Sequence, residues 1–126
     1  MQAVPLGAKG TFALTVRPEH LANQFKDAIL PQVLATPVMI LIMENAALNA
    51  IRSYLDPGES AVGTAVNVRH AAATPVGHRV QGEAEVTRHG SRLSFATAVF
   101  RSGDRVVMTA SGIFASQPAE AGKAGQ

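Results

Sequence analysis

Cysteine is absent from the chain, which excludes disulfides, a thiol nucleophile and any thiolate metal site. Aromatic residues are scarce, five phenylalanines and one tyrosine, and the basic residues are scattered rather than clustered, so nucleic-acid binding has little support. Neither sign of charge dominates: the formal net charge is +2. Long hydrophobic runs are missing too. The longest in the main helical stretch, Val38 to Met43, is far short of the roughly 20 residues that cross a bilayer. The first 16 residues lack the basic start and apolar core of a signal peptide. No two histidines have the spacing of a metal site on one helix. These absences predict a cytoplasmic protein with no metal, no cofactor, no nucleic-acid partner and no membrane span. What remains is ordinary globular material, 126 residues with 47% hydrophobic and 16% charged, enough for one domain with a real core.

The chain is organised around Ala35 to Leu55, A-T-P-V-M-I-L-I-M-E-N-A-A-L-N-A-I-R-S-Y-L. Thr36 suits an N-cap and Pro37 the first helical position, so a helix of about five turns is expected. On a 3.6-residue period Asn45, Asn49, Arg52 and Ser53 gather on one side. Glu44 lies over 100° from that stripe's centre at about 100° per residue. Its neighbours one turn away are Ile40, Leu41, Ala47 and Leu48. A lone carboxylate aimed into an apolar surface is costly unless it is hydrogen-bonded or protonated, which makes Glu44 a functional candidate.

Around this helix the pattern is strand-like. Residues 10–17 alternate Phe12, Leu14 and Val16 against polar neighbours, and 18–25 reads as a short helical turn. After the Asp56-Pro57-Gly58 stop, strands are expected at 61–70, 79–88, 92–101 and 105–115. In the first of these Val62, Thr64, Val66, Val68 and His70 form the inward set. In the second Val80, Gly82, Ala84 and Val86 face in. Tight turns are expected at 89–91 and 102–104. The fold class is therefore α+β, an antiparallel sheet wrapped around one helix. It forms one domain over 1–116, with a disordered tail over 117–126. The sheet edges and helix end left uncovered predict dimerisation.

Three polar residues stand where a bland core would have something else: Glu44, His70 at the inward end of its strand, and Thr36 at the helix start. Gly63 fits a bulge or a place where a ligand meets backbone. The phrases A-T-P-V-M-I-x-x-M-E-x-A-A-L at 35–48 and V-G-T-A-V-N-V-R-H-x-A-A-T-P-V-G at 62–77 resemble the hotdog-fold thioesterases of the fluoroacetyl-CoA thioesterase type. The likeness runs over about residues 8–115, and the spacing of Thr36, Glu44 and His70 matches that family's catalytic set. The resemblance implies a hotdog fold, an acyl-CoA substrate, and catalysis by Thr36, Glu44 and His70. It further implies contact of Gly63 with the acyl group and coenzyme A, and a homodimer, with a tetramer as the alternative.

Two departures accompany it. The segment K-D-A-I-L-P-Q-V-L at 26–34 carries no aromatic, and Leu30 sits where the fluoroacetyl-specific enzyme has a gating phenylalanine. Ile113-Phe114 stand in place of a ligand-contacting arginine. A short-chain thioesterase is thus expected, with fluoroacetyl selectivity in question. A hotdog hydratase or dehydratase, and a non-catalytic acyl-CoA binding module, are the competing readings.

For hydrolysis, Glu44 is expected to act as base toward Thr36 or a water, and His70 to orient it or assist the leaving thiolate. Amides at Thr36–Met39 and around Gly63 would hold the oxyanion. Eight residues of helix span about 12 Å, so Thr36 and Glu44 of one straight helix cannot touch. A site shared between two chains is the favoured resolution.

Overall fold

The computed structural model describes residues 1–89, 93–101 and 105–118. Five strands, β1 (Lys9–Thr15), β2 (Glu59–His70), β3 (Arg79–His89), β4 (Leu93–Arg101) and β5 (Arg105–Pro118), form one antiparallel sheet ordered β1-β3-β4-β5-β2. Between β1 and β2 lie a 3-10 turn (Pro18–His20), the short helix α1 (Ala22–Phe25) and the long helix α2 (Thr36–Ile51). The expected order of strand, helix and four strands holds.

Strand β3 shows why the sheet has two faces. Val80, Gly82, Ala84 and Val86 are buried while Arg79, Glu83 and Glu85 are exposed, the period-2 pattern of a half-buried strand. Strand β5 continues to Pro118, pairing Gln117 with Ser60 and Pro118 with Glu59. Gln117 and Pro118 therefore belong to the sheet rather than to the expected tail. Residues 119–126 of that tail lie outside the described residues, as do residues 90–92 and 102–104, on which most of the turn expected at 89–91 and all of that expected at 102–104 fall.

Helix α2 begins one residue earlier than its sequence suggests. Ala35 is the N-cap, with extended backbone (φ −70°, ψ 141°), and Thr36 is the first helical residue. At its far end the α-helix stops at Ile51 and tightens into a 3-10 turn over Arg52–Tyr54. One side of the helix, including Met39, Ile42, Ala46 and Ala50, is sealed against the sheet. Leu41 is half exposed at 49%, and Ile40 and Glu44 beside it are half-buried.

The helix sits unusually close to the strands. Gly10 on β1 pairs with Ala84, and Gly82 on β3 pairs with Phe12, so small residues form a saddle across the two strands. A methyl at Gly10 would collide with the backbone of Ala46 and Ala50, and one at Gly82 would lie 2.8 Å from the Ile42 side chain. Asn49 fastens the same contact by donating through Nδ2 to the Thr11 carbonyl at 2.7 Å. Two core clusters flank the saddle. One lies around Met39, Ile42, Leu34, Val16 and Val80, and the other around Ala47, Ile51, Val86, Leu93 and Phe95.

Strand β2 is one edge of the sheet, and its pairing with β5 shifts between Gly63 and Ala65. Ala61 packs on the second core cluster and Val68 on the first. Seven residues, an odd number, separate two inward-facing side chains. Regular alternation forbids that, and a bulge with Thr64 as the extra residue permits it. The single inward set expected from Val62 to His70 is thereby corrected. Its second half, through Val68 to His70, faces the helix, whereas Val62 precedes the bulge in the opposite phase and is 43% exposed.

Gly10→Ala should lower stability by about 1–3 kcal/mol, because overpacking against backbone has no soft neighbour to yield. Gly82→Ala should cost less, since a side chain is its nearest obstacle. Urea denaturation of the two variants checks the order.

Candidate active site

The phase set by the bulge delivers His70, the last residue of β2, to the N-terminus of α2. There the Thr36 hydroxyl and His70 Nδ1 are 2.9 Å apart, and His70 Nε2 is 3.0 Å from the carbonyl oxygen of Ala72. A carbonyl can only accept, so Nε2 carries the proton. A neutral His70 then presents a bare Nδ1, and the Thr36 hydroxyl donates to it. This is the arrangement of a hydroxyl, a base and a group that orients the base. Both side chains are half-buried, sheltered yet open enough for a ligand.

Thr36 owes its position to the three residues before it. Ala22 N–H donates to Val33 O at 2.7 Å and Ala35 N–H to His20 O at 2.9 Å, while Leu34 N–H donates to Thr74 O at 2.8 Å. Residues 33–35 thus run as an extended segment between 20–22 on one edge and Thr74 on the other. At the helix start, the amides of Val38 and Met39 both donate to Ala35 O, at 3.0 and 3.2 Å, and Pro37 has none. Of the Thr36–Met39 amides expected to receive an oxyanion, three are thereby removed and the Thr36 amide is left.

The other two predicted residues lie elsewhere in the same chain. Glu44 is two turns along α2, about 12 Å from Thr36 at 1.5 Å per residue, and makes no hydrogen bond to Thr36 or His70. Gly63 lies at the bulge, seven residues before His70 and so about 20 Å away along the strand. Thr36 and His70 meet; Glu44 and Gly63 do not join them within one chain. Among the described residues no three metal-ligating side chains gather, and no helix is long and apolar enough to cross a membrane. The carbonyl of Ala72 is the functional group that sequence reading missed. A backbone acceptor carries no residue-type signal, and its only trace is the short H-A-A-A-T-P connection.

Residues 16–112 match the family model described as fluoroacetyl-CoA-specific thioesterase, FlK. The chain belongs to this family. The fluoroacetyl-CoA thioesterase of Streptantibioticus cattleyicolor is 41% identical over 80 residues, which are 63% of this chain and 58% of that protein. The match thus spans little more than half the length of that relative. A thioesterase superfamily member from Thermus thermophilus superposes with a TM-score of 0.90 at 25% identity, covering 98% of this chain and 91% of that one. A threonine-to-serine mutant of FlK in complex with acetyl-CoA superposes with a TM-score of 0.88 at 31% identity, covering 96% and 95%. The fold of this FlK-family chain is the hotdog fold, an antiparallel sheet curled around one long helix.

Because Ala35 rather than Thr36 caps the helix, Thr36→Ala should change stability by no more than about 1 kcal/mol, the worth of one partly exposed hydrogen bond. Chemical denaturation of that variant beside Thr36→Ser measures it.

Proposed function

We propose that this chain is an acyl-CoA thioesterase for short acyl groups, with Thr36 as nucleophile and His70 as its base. The observation that carries the reading is the Thr36 hydroxyl held 2.9 Å from a His70 Nδ1 whose opposite nitrogen is bound to the Ala72 carbonyl. Thr36 Oγ attacks the thioester carbonyl while its proton passes to Nδ1. The tetrahedral intermediate collapses with loss of coenzyme A thiolate, which takes up that proton, and water then releases the acid and restores the Thr36 hydroxyl. The positive end of α2 and the Thr36 amide favour the oxyanion. The FlK mutant solved with acetyl-CoA supports the substrate class. Under a hydratase reading Thr36 has no task, yet here it is the partner of His70. As a coenzyme-A-dependent activity, the reaction belongs in the cytoplasm.

Glu44 and Gly63 enter through a second copy. A two-fold axis crossing α2 near Ile40 brings the segment around residue 44 of one helix beside residue 36 of the other. On β2, an axis midway between residues 66 and 67 sets residue 63 opposite residue 70. One antiparallel homodimer with both crossings on its axis would meet both requirements, and the surfaces near them are apolar and open, Leu41 at 49% and Val66 at 41% exposure. The free edge of β2 supplies unpaired backbone for such a partner. Glu44 then acts across the interface, as a proton acceptor for the deacylating water.

Thr36→Ala, His70→Ala and Glu44→Gln should each lower kcat about 10²–10⁴-fold. Mixed and reassociated, inactive Thr36→Ala and Glu44→Gln chains should regain about a quarter of wild-type thiol release, because half the dimers are hybrid and each hybrid has one intact site. No recovery on mixing would confine the site to one chain, and a stable Glu44→Gln with wild-type kcat would remove Glu44 from it. Selectivity follows from residues 26–34, where no aromatic closes over the acyl group. The kcat/KM values for fluoroacetyl-CoA and acetyl-CoA should agree within about tenfold, as a panel of acyl-CoA substrates would measure.

A further inference from the structure

We propose that Thr74 is a positioning residue for the Thr36–His70 pair, acting through the β2–β3 connection that grips both members. The proposal takes its kinetic readout from the thioesterase reading, whereas its spectroscopic readout needs no substrate.

The connection reaches the two residues from opposite directions. Its Ala72 carbonyl binds His70 Nε2 at 3.0 Å. Its Thr74 carbonyl binds the Leu34 amide at 2.8 Å, two residues before Thr36. Farther along, Gly77 N–H donates to Val16 O at 2.9 Å and Val16 N–H to His78 O at 2.9 Å, with Gly77 in the left-handed region at φ 92°. One short stretch of backbone is therefore the common frame for the hydroxyl and the imidazole. Any drift of that stretch changes the distance between them.

Thr74 has the properties that would fix this frame. It is completely buried, the one buried polar residue among those described. It precedes Pro75, which bars the helical region and drives residue 74 into extended backbone, and its β-branch stiffens the side chain. Its hydroxyl is buried with no hydrogen-bond partner among the described residues. The hydroxyl therefore does not anchor the loop. Shape and backbone restraint do, and valine would supply the same shape without an orphaned polar atom.

The experiment compares Thr74→Val and Thr74→Gly by three measurements: melting temperature, kcat and KM for acetyl-CoA, and the imidazole ¹⁵N signals of His70 without substrate. Wild type and Thr74→Val should show the single Nε2–H tautomer, with kcat kept and melting temperature equal or higher. Thr74→Gly should show mixed tautomers and a kcat lower by about 10–100-fold, the usual consequence of misplacing reacting groups by an ångström, with KM little changed. Val86→Ala, in the distant core cluster, should lower the melting temperature and leave tautomer and kcat alone. If Thr74→Gly does not fold, Thr74→Ala takes its place with the same expectations.

A folded Gly or Ala variant with the wild-type tautomer and kcat would overturn the proposal. So would a Thr74→Val enzyme as slow as the Gly variant, which would make the hydroxyl itself the active group. Should wild type release no thiol from any acyl-CoA, the ¹⁵N signals alone still decide whether Thr74 orders His70.

Discussion

The structure depends on the closeness of α2 to the sheet at Gly10 and Gly82. Side chains normally keep packed layers of secondary structure about 10 Å apart; here glycine and alanine let backbone approach backbone. Small residues give up hydrophobic area, at about 25 cal/mol per Å². They regain dispersion contacts along the seam, where helix atoms approach Gly10 and Gly82 closely. Asn49 reaching the Thr11 carbonyl and the larger clusters on either side keep the helix from rocking. The N-terminus of α2 is thereby fixed at the end of β2, and the meeting of Thr36 and His70 follows from that placement.

How much of this can be read from the sequence depends on which groups do the work. Strand β3 announces itself because its alternation is uninterrupted and one face meets solvent. Glu44 is recognisable as misplaced for a monomeric surface, since its neighbours on the helical wheel are apolar. Thr36 shows the limit of local reasoning. Thr-Pro at a helix start reads as a cap, but Ala35 takes that place and the threonine hydroxyl bonds to a residue 34 positions away. The bulge at Thr64 is only half legible: Gly63 beside it reads as a bulge or as a place where a ligand meets backbone, and the slip in pairing with β5 is a property of two strands that one strand's sequence does not fix. Backbone groups such as the Ala72 carbonyl are the least legible of all.

The candidate site has an uneven build. Its base is oriented by the chain's own backbone, and its hydroxyl is held by a segment clamped on both edges. The carboxylate and the bulge glycine lie one and two nanometres off, roughly, by the rise of helix and strand. A hydroxyl–imidazole pair is thus complete within each chain, while Glu44 lies beside the exposed Leu41 on the open apolar side of α2. Under the proposed dimer, such a division ties chemistry to association.

The bulge gives β2 a property that its exposed surface conceals. Because side-chain direction repeats every two residues, the extra residue at Thr64 lets Ala61 and His70 share a face. Substitutions along this edge meet mostly solvent and leave that phase alone. Loss or gain of a single codon between Gly63 and His70 does not: it sets the strand's two ends at odds, turning outward either the histidine or the residues that seal the far core. Here the gene is forgiving of spelling and strict about length.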